Sequence, residues 1–164
     1  VTDFARSGLG WDTHRYVEGL PLVVGGVTID HPRGLLGHSD ADVLSHAIAD
    51  AVLGAAALGD IGAHFPDSSP EWKDADSIEL LARCCEMVRE RGLFVVNVDA
   101  TVIAEEPLMG GHRAQMVFNL AAALGVGNDA VNVKFTRGEG MGHLGRAEGV
   151  AAMAVAMLAP VPAS

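Results

Sequence analysis

Hydrophobic positions recur along this chain with two different periods, and the changes of period mark its elements. Phe94, Val96, Val98, Ala100 and Val102 alternate with Asn97, Asp99 and Thr101, the period of a strand with one apolar side, over Phe94 to Ala104. Val131, Val133 and Phe135 alternate in the same way against Asn132, Lys134 and Thr136. Ile78, Leu81, Cys85 and Val88 keep the helical period instead and predict a core-facing stripe. Asp76 stands as N-cap, Glu79 follows at the third position and Gly92 stops the pattern, so this helix is expected over Ser77 to Arg91. A further helix is expected over Gly111 to Leu124, closed by Gly125.

The N-terminal third is punctuated by glycine. Leu9-Gly10-Trp11-Asp12 reads as the end of a first strand entering a loop. Leu20 to Ile29 reads as a second extended stretch, broken at Gly25-Gly26. Pro32-Arg33-Gly34 reads as a turn, and Phe65 to Ala75 as a loop. Between them a helix is expected from Asp40 to Leu58, with Ser39 as N-cap, Asp42 in a capping-box-like position and Gly59 just past the end. The tail, Gly149 to Leu158, leaves two readings open: its alanines favour helix, its uniform apolarity suits a buried strand. Strands and helices mix, and no internal repeat or linker divides residues 1–164, so one α/β or α+β domain is expected.

Composition narrows the classes of function. Hydrophobic residues make up 49% of the chain and charged residues 20%, which argues against disorder. No apolar run approaches the ~18 residues of a membrane span, and Val1 to Arg6 lacks the start of a signal peptide. The two cysteines are adjacent, Cys84-Cys85, so they build no disulfide framework and read as core packing in a reducing cytoplasm. The net charge of −10 argues against nonspecific nucleic-acid binding. It still permits a phosphorylated substrate held through metal ions, helix N-termini and a few placed cations.

Candidate chemistry concentrates near the N-terminus. Asp12 and His14 are two apart, so on an extended segment they point the same way. His46 lies on the first predicted helix, where Asp42, His46 and Asp50 share a face. One carboxylate and two imidazoles with an open fourth position form the ligand set of a catalytic metal site. His38 and Ser39 precede that helix, where free N–H groups and the helix dipole favour a phosphate oxygen. Asp60-Ile61-Gly62 and Phe65-Pro66-Asp67 follow it. Glu139 comes just after a strand end, a place from which a carboxylate can hold a phosphate-bridging Mg²⁺. Arg137, Arg146 and Lys134 are candidates for anion contact. Gly140, Gly142 and Gly145 spell GxGxxG, but no following strand and acid complete a dinucleotide fingerprint.

Taken together, these segments resemble the 2-C-methyl-D-erythritol 2,4-cyclodiphosphate synthase family of the non-mevalonate isoprenoid pathway. The resemblance is carried by Gly8 to His14 and by Gly37 to Gly54, and continues through Gly59-Asp60-Ile61-Gly62, Phe65-Pro66-Asp67 and Ala75-Asp76-Ser77. It extends more loosely to Asn132-Val133-Lys134 and to Gly145 to Gly149. The resemblance implies an α+β fold, a ferredoxin-like sandwich of a mixed sheet with helices packed on one face, in which the tail is a strand. It implies a phosphorus–oxygen lyase that closes the cyclic diphosphate and releases CMP. Asp12, His14 and His46 match ligands of Zn²⁺ or a similar ion, and Glu139 the ligand of Mg²⁺ or Mn²⁺ between the substrate phosphates. His38 matches a transition-state contact, and Arg137 stands beside it as a catalytic candidate. Ser39 matches a phosphate contact; Asp60, Ile61, Gly62, Phe65, Pro66, Asp67, Ser68 and Ser69 match the loop around methylerythritol and ribose. The segment Ala104 to Gly110, with Pro107, Leu108 and Met109 inside it, and Thr136 match the cytidine pocket, with His143 and Arg146 as further substrate contacts. Trp11, Arg146 and Glu148 match the central channel of a homotrimer whose active sites lie between subunits.

Two departures from the family pattern stand out. A Pro-Lys pair is common where this chain has Pro107-Leu108, and a threonine is common where it has Arg137. Arg137 brings charge but not a short hydroxyl donor. A metal phosphohydrolase, and a homologue that binds nucleotides or isoprenoid phosphates without turnover, are the competing readings.

Overall fold

The computed structural model describes residues 4–66 and 68–162. Its centre is a five-stranded sheet in the order β4-β1-β7-β5-β6. The strands are β1 (Arg6–Glu18), β4 (Arg33–Leu35), β5 (Leu93–Ile103), β6 (Val131–Thr136) and β7 (Gly149–Pro160). Only β5 and β6 run parallel; the other neighbours are antiparallel. A separate hairpin of β2 (Leu22–Val24) and β3 (Val27–Ile29) turns at Gly25-Gly26, both with positive φ. Helices α1 (Val43–Ala55), α3 (Ser77–Glu90) and α4 (Arg113–Leu124) cover one face of the sheet, with short turns α2 (Ile61–His64) and α5 (Gly142–Gly145) at loops. This is the α+β, ferredoxin-like sandwich expected. Among the described residues, no helix is long and apolar enough to cross a membrane.

Helix α3 has the expected N-cap, with the Asp76 carboxylate accepting from Ile78 N, and Gly92 takes positive φ just beyond it. Gly125 likewise ends α4 in the left-handed region. The tail is the strand β7, inserted between β1 and β5; one face is buried under the helices, and the other carries the exposed apolar residues Met153 and Val155, so neither face reads as polar.

Four expectations are corrected. Strand β1 does not end at Asp12 but runs on to Glu18, because β7 pairs with it from Arg6 through Arg15. The stretch expected as a turn at Pro32-Arg33-Gly34 instead enters β4, an edge strand on β1. Helix α1 starts at Val43 with Asp42 as its cap, not Ser39, and it ends at Ala55, so the first positive-φ residue past it is Ala57, with Gly59 two residues further on. In β5 the alternation shifts at a bulge between Val95 and Asn97, so Val95 and Val98 are buried while Phe94 and Val96 are exposed.

Candidate functional site

The site begins with a close approach of backbones. A Cβ on Gly10 would lie 1.8 Å from the Ala47 carbonyl oxygen, and one on Gly8 would lie 2.1 Å from that of Ala51. With no side chains at these two positions, β1 lies directly against α1. Asp12 and His14 continue the same face of β1, and His46 is the residue before Ala47. The three side chains therefore meet. Asp12 Oδ2 is 2.9 Å from His14 Nε2 and 3.0 Å from His46 Nδ1, and the two imidazole nitrogens are 3.3 Å apart. A tetrahedral ion with bonds of about 2.0–2.1 Å separates its ligands by about 3.3 Å, so this donor set fits a divalent ion of zinc type. Among the described residues these three form the one group of acids, histidines or cysteines close enough to hold an ion.

The outer nitrogens are tied down as well. His14 Nδ1 bonds the Leu36 carbonyl at 2.8 Å. His46 Nε2 lies 2.8 Å from Ser77 Oγ and 3.1 Å from Ser39 Oγ, and Ser77 in turn donates to Asp40. Such partners fix ring orientation and tautomer and leave the inner nitrogens facing the ion. Burial of Asp12 opposes its ionisation, but hydrogen bonds and charge from His14 and His46 outweigh it and hold the carboxyl well below the usual range. Asp42, expected on the same polar stripe, is instead fully buried as a structural acceptor. It takes Gly25 N, Gly26 N, Leu44 N, Ser45 N and Ser45 Oγ, and so ties the hairpin turn to the start of α1.

The metal group opens into a cleft of about 450 Å³ lined also by His38, Ser39, Asp50, Ile61, Gly62 and Phe65. Asp50 accepts from Ile61 N at 2.8 Å, and burial pushes its carboxyl up. Leu36, Leu80 and Trp72 complete the wall, and Phe65 meets Trp72 edge to face at 5.0 Å. Asp60 caps α2 by accepting from Ala63 N and does not line this cleft. Pro66 and Ser68 are exposed and Ser69 half-buried; Asp67 lies outside the described residues.

A second, smaller pocket of about 170 Å³ is lined by Val102, Ala104, Pro107, Leu108, Met109, Phe135, Thr136 and Arg137. Of the segment expected around cytidine it gathers Ala104, Pro107, Leu108 and Met109, with Thr136, but not Glu105, Glu106 or Gly110, and it shares no lining residue with the metal cleft. Arg137 donates to Glu105 Oε1 at 2.8 Å. Glu139 is exposed with φ of 51° and lines neither pocket. His143 is exposed in α5, Arg146 pairs with Glu148 at 2.7 Å, and Trp11 is exposed on the sheet face away from the helices. Sequence reasoning missed Asp40, Ser77 and Trp72. Only Ser77 had a signal, as the first helical residue after a recognised cap.

Comparisons with known proteins show what the whole chain is similar to. The model of the YgbB family matches residues 5–159. The 2-C-methyl-D-erythritol 2,4-cyclodiphosphate synthase of Salinibacter ruber is 59% identical over 149 residues, 91% of this chain and 95% of that protein. Its counterpart in Bordetella avium is 56% identical over 154 residues, 94% of this chain and 95% of that one. Among solved structures, the bifunctional IspDF from Campylobacter jejuni superposes with a TM-score of 0.93 at 40% identity, over 97% of this chain, which spans 43% of the larger protein. Plasmodium falciparum IspF in complex with CDP gives a TM-score of 0.85 at 28% identity, over 99% of this chain and 100% of that one.

Proposed function

The chain belongs to the YgbB family, and on that premise we propose that it is a phosphorus–oxygen lyase that makes 2-C-methyl-D-erythritol 2,4-cyclodiphosphate. The substrate is 4-diphosphocytidyl-2-C-methyl-D-erythritol 2-phosphate. An oxygen of its 2-phosphate attacks the β-phosphorus, the bond from that phosphorus to the bridging oxygen breaks, and CMP leaves with the electron pair. The observation that carries this reading is the convergence of Asp12 Oδ2, His14 Nε2 and His46 Nδ1 within 3.3 Å at the floor of a cleft.

Those three atoms would hold a divalent ion, Zn²⁺ in the first instance, which supplies a Lewis acid beside the diphosphate. His38 and Ser39, on the same cleft wall, are placed to bind phosphate oxygens, with His38 meeting charge as it develops at phosphorus. Phe65 and Trp72 keep water from the reacting groups, which favours ring closure over hydrolysis. Ala104, Pro107, Leu108, Met109 and Thr136 receive the cytidine. Arg137 provides the cation that Leu108 lacks, and Glu139, His143 and Arg146, outside both pockets, would reach the phosphates from the rim, Glu139 with Mg²⁺ or Mn²⁺. The exposed apolar residues Leu9, Trp11, Val96, Met153 and Val155 support a homotrimer closed through the uncovered sheet face, with active sites between subunits and Trp11, Arg146 and Glu148 at its channel. We place the chain, as a single domain, in the cytoplasm.

Product analysis tests the activity. Zinc-loaded protein should yield cyclic diphosphate and CMP in equal amounts, and His46→Ala should lose both bound zinc and turnover while remaining folded. Release of inorganic phosphate would favour the hydrolase, and full turnover by His46→Ala would reject the metal assignment. The ion pair of Arg137 with Glu105 favours a second reading, a nucleotide- or isoprenoid-phosphate-binding homologue with altered turnover; CDP binding without product would establish it.

A further inference from the structure

The loop that lines the smaller pocket is held from outside by two residues that the proposed function does not use. Residues 104–109 follow β5, and their irregular backbone is anchored near its middle at Glu106. Tyr16 Oη donates to the Glu106 carbonyl oxygen at 2.5 Å. Arg33 Nη2 donates to Glu106 Oε1 at 2.5 Å, and Arg33 Nη1 to the Ala147 carbonyl at 3.0 Å. The guanidinium lies 4.5 Å over the ring of Tyr16. Arg33 comes from β4 and Tyr16 from β1, and these strands pair side by side. Tyr16 is also two residues beyond His14, on the same side of β1 as both metal ligands on that strand.

We propose that Tyr16 and Arg33 are positioning residues for nucleotide recognition. They fix Glu106, and through it the wall formed by Pro107, Leu108 and Met109, against the strand that carries Asp12 and His14. An exposed ion pair alone contributes little. Arg33 has two acceptors and an aromatic face, and Tyr16 is buried, so the loop is set before ligand arrives and its ordering does not weaken binding. This inference deepens the proposed function and rests on it.

CDP is the probe, titrated calorimetrically into zinc-loaded protein. Tyr16→Phe removes one oxygen and should weaken CDP about fivefold; Arg33→Gln should weaken it about tenfold. Zinc affinity should hold, and KM for the cytidylyl substrate should rise more than kcat falls. Arg33→Lys should recover part of the loss, since it restores charge but not the second donor arm. Arg33→Gln with Glu106→Gln should be no worse than Arg33→Gln alone. Wild-type CDP affinity in both Tyr16→Phe and Arg33→Gln overturns the inference, and so does a parallel loss of CDP affinity, zinc affinity and thermal stability. If the unaltered protein binds no CDP, the proposed function fails and takes the inference with it; if it binds CDP and the variants match it, only the inference fails.

Discussion

Replacing Gly10 with alanine adds one methyl group at the tightest point of the molecule. That carbon would sit 1.8 Å from Ala47 O and 2.7 Å from Ala51 N, both backbone atoms of α1. Cβ atoms do not come within 3.0 Å of such neighbours, so β1 and α1 must part by about 1.2 Å. No flexible side chain is available to absorb the change. Overpacking costs about 1–3 kcal/mol, and an obstacle of rigid backbone belongs at the upper end. The gap opens beside the metal group, because Asp12 and His14 move with β1 while His46 stays with α1. Ligand distances tolerate only about 0.2 Å, so zinc affinity should fall at least 10–100-fold, the loss seen when ligand orientation alone is disturbed. Urea unfolding of the apo-protein in chelator reads the first effect, and competition with a zinc indicator reads the second. Gly54→Ala is the control: it lies on the exposed side of the same helix with nothing within 4 Å, and it should be neutral or stabilising by about 0.5–1 kcal/mol. If Gly10→Ala keeps both its unfolding midpoint and its zinc affinity, the close approach does not build the site.

Two further outcomes follow from buried polar groups. Burial, partly opposed by Arg33, raises the Tyr16 phenol to about 12, and Tyr16 is the sole tyrosine in the chain, so absorbance at 295 nm reports it alone. The raised folded value means that its contribution to stability is complete below the unfolded pKa of ~10 and is lost as pH climbs from there through about 12; ionisation of the folded protein near 10 would contradict this. Asp42→Ala strands four backbone N–H groups and the Ser45 hydroxyl, and should cost about 3–5 kcal/mol in urea unfolding, with Asp42→Asn restoring only part; a loss below about 1 kcal/mol would show that water replaces the carboxylate.

The metal group was legible in the sequence because each of its parts is local. Asp12 and His14 need only an extended backbone, and His46 only a helix in the right place. Helix α3 was legible for the same reason, its cap and its closing glycine both adjacent to it. What could not be read depends on distant partners. Asp42 outcompetes Ser39 as cap because its carboxylate also meets the Gly25-Gly26 turn, which no local pattern announces. Gly8 and Gly10 look like strand breakers until α1 is laid across them. The bulge in β5 turns Val95 rather than Val96 to the core while Val98 and Val102 face it as expected, and it comes from pairing with β7. Tyr16 and Arg33 lie 17 residues apart with unremarkable neighbours, and their common target, Glu106, lies far along the chain.

Strand β7 runs between β1 and β5, so the ribosome delivers the middle of the sheet after both of its flanks. His14 lies opposite Val150 and Asp12 opposite Ala152, so the strand that carries two of the three donors of the metal group gains this partner from residues translated more than a hundred codons later. The sheet on which the metal group stands is therefore closed late, when the last long strand slots between two neighbours already made.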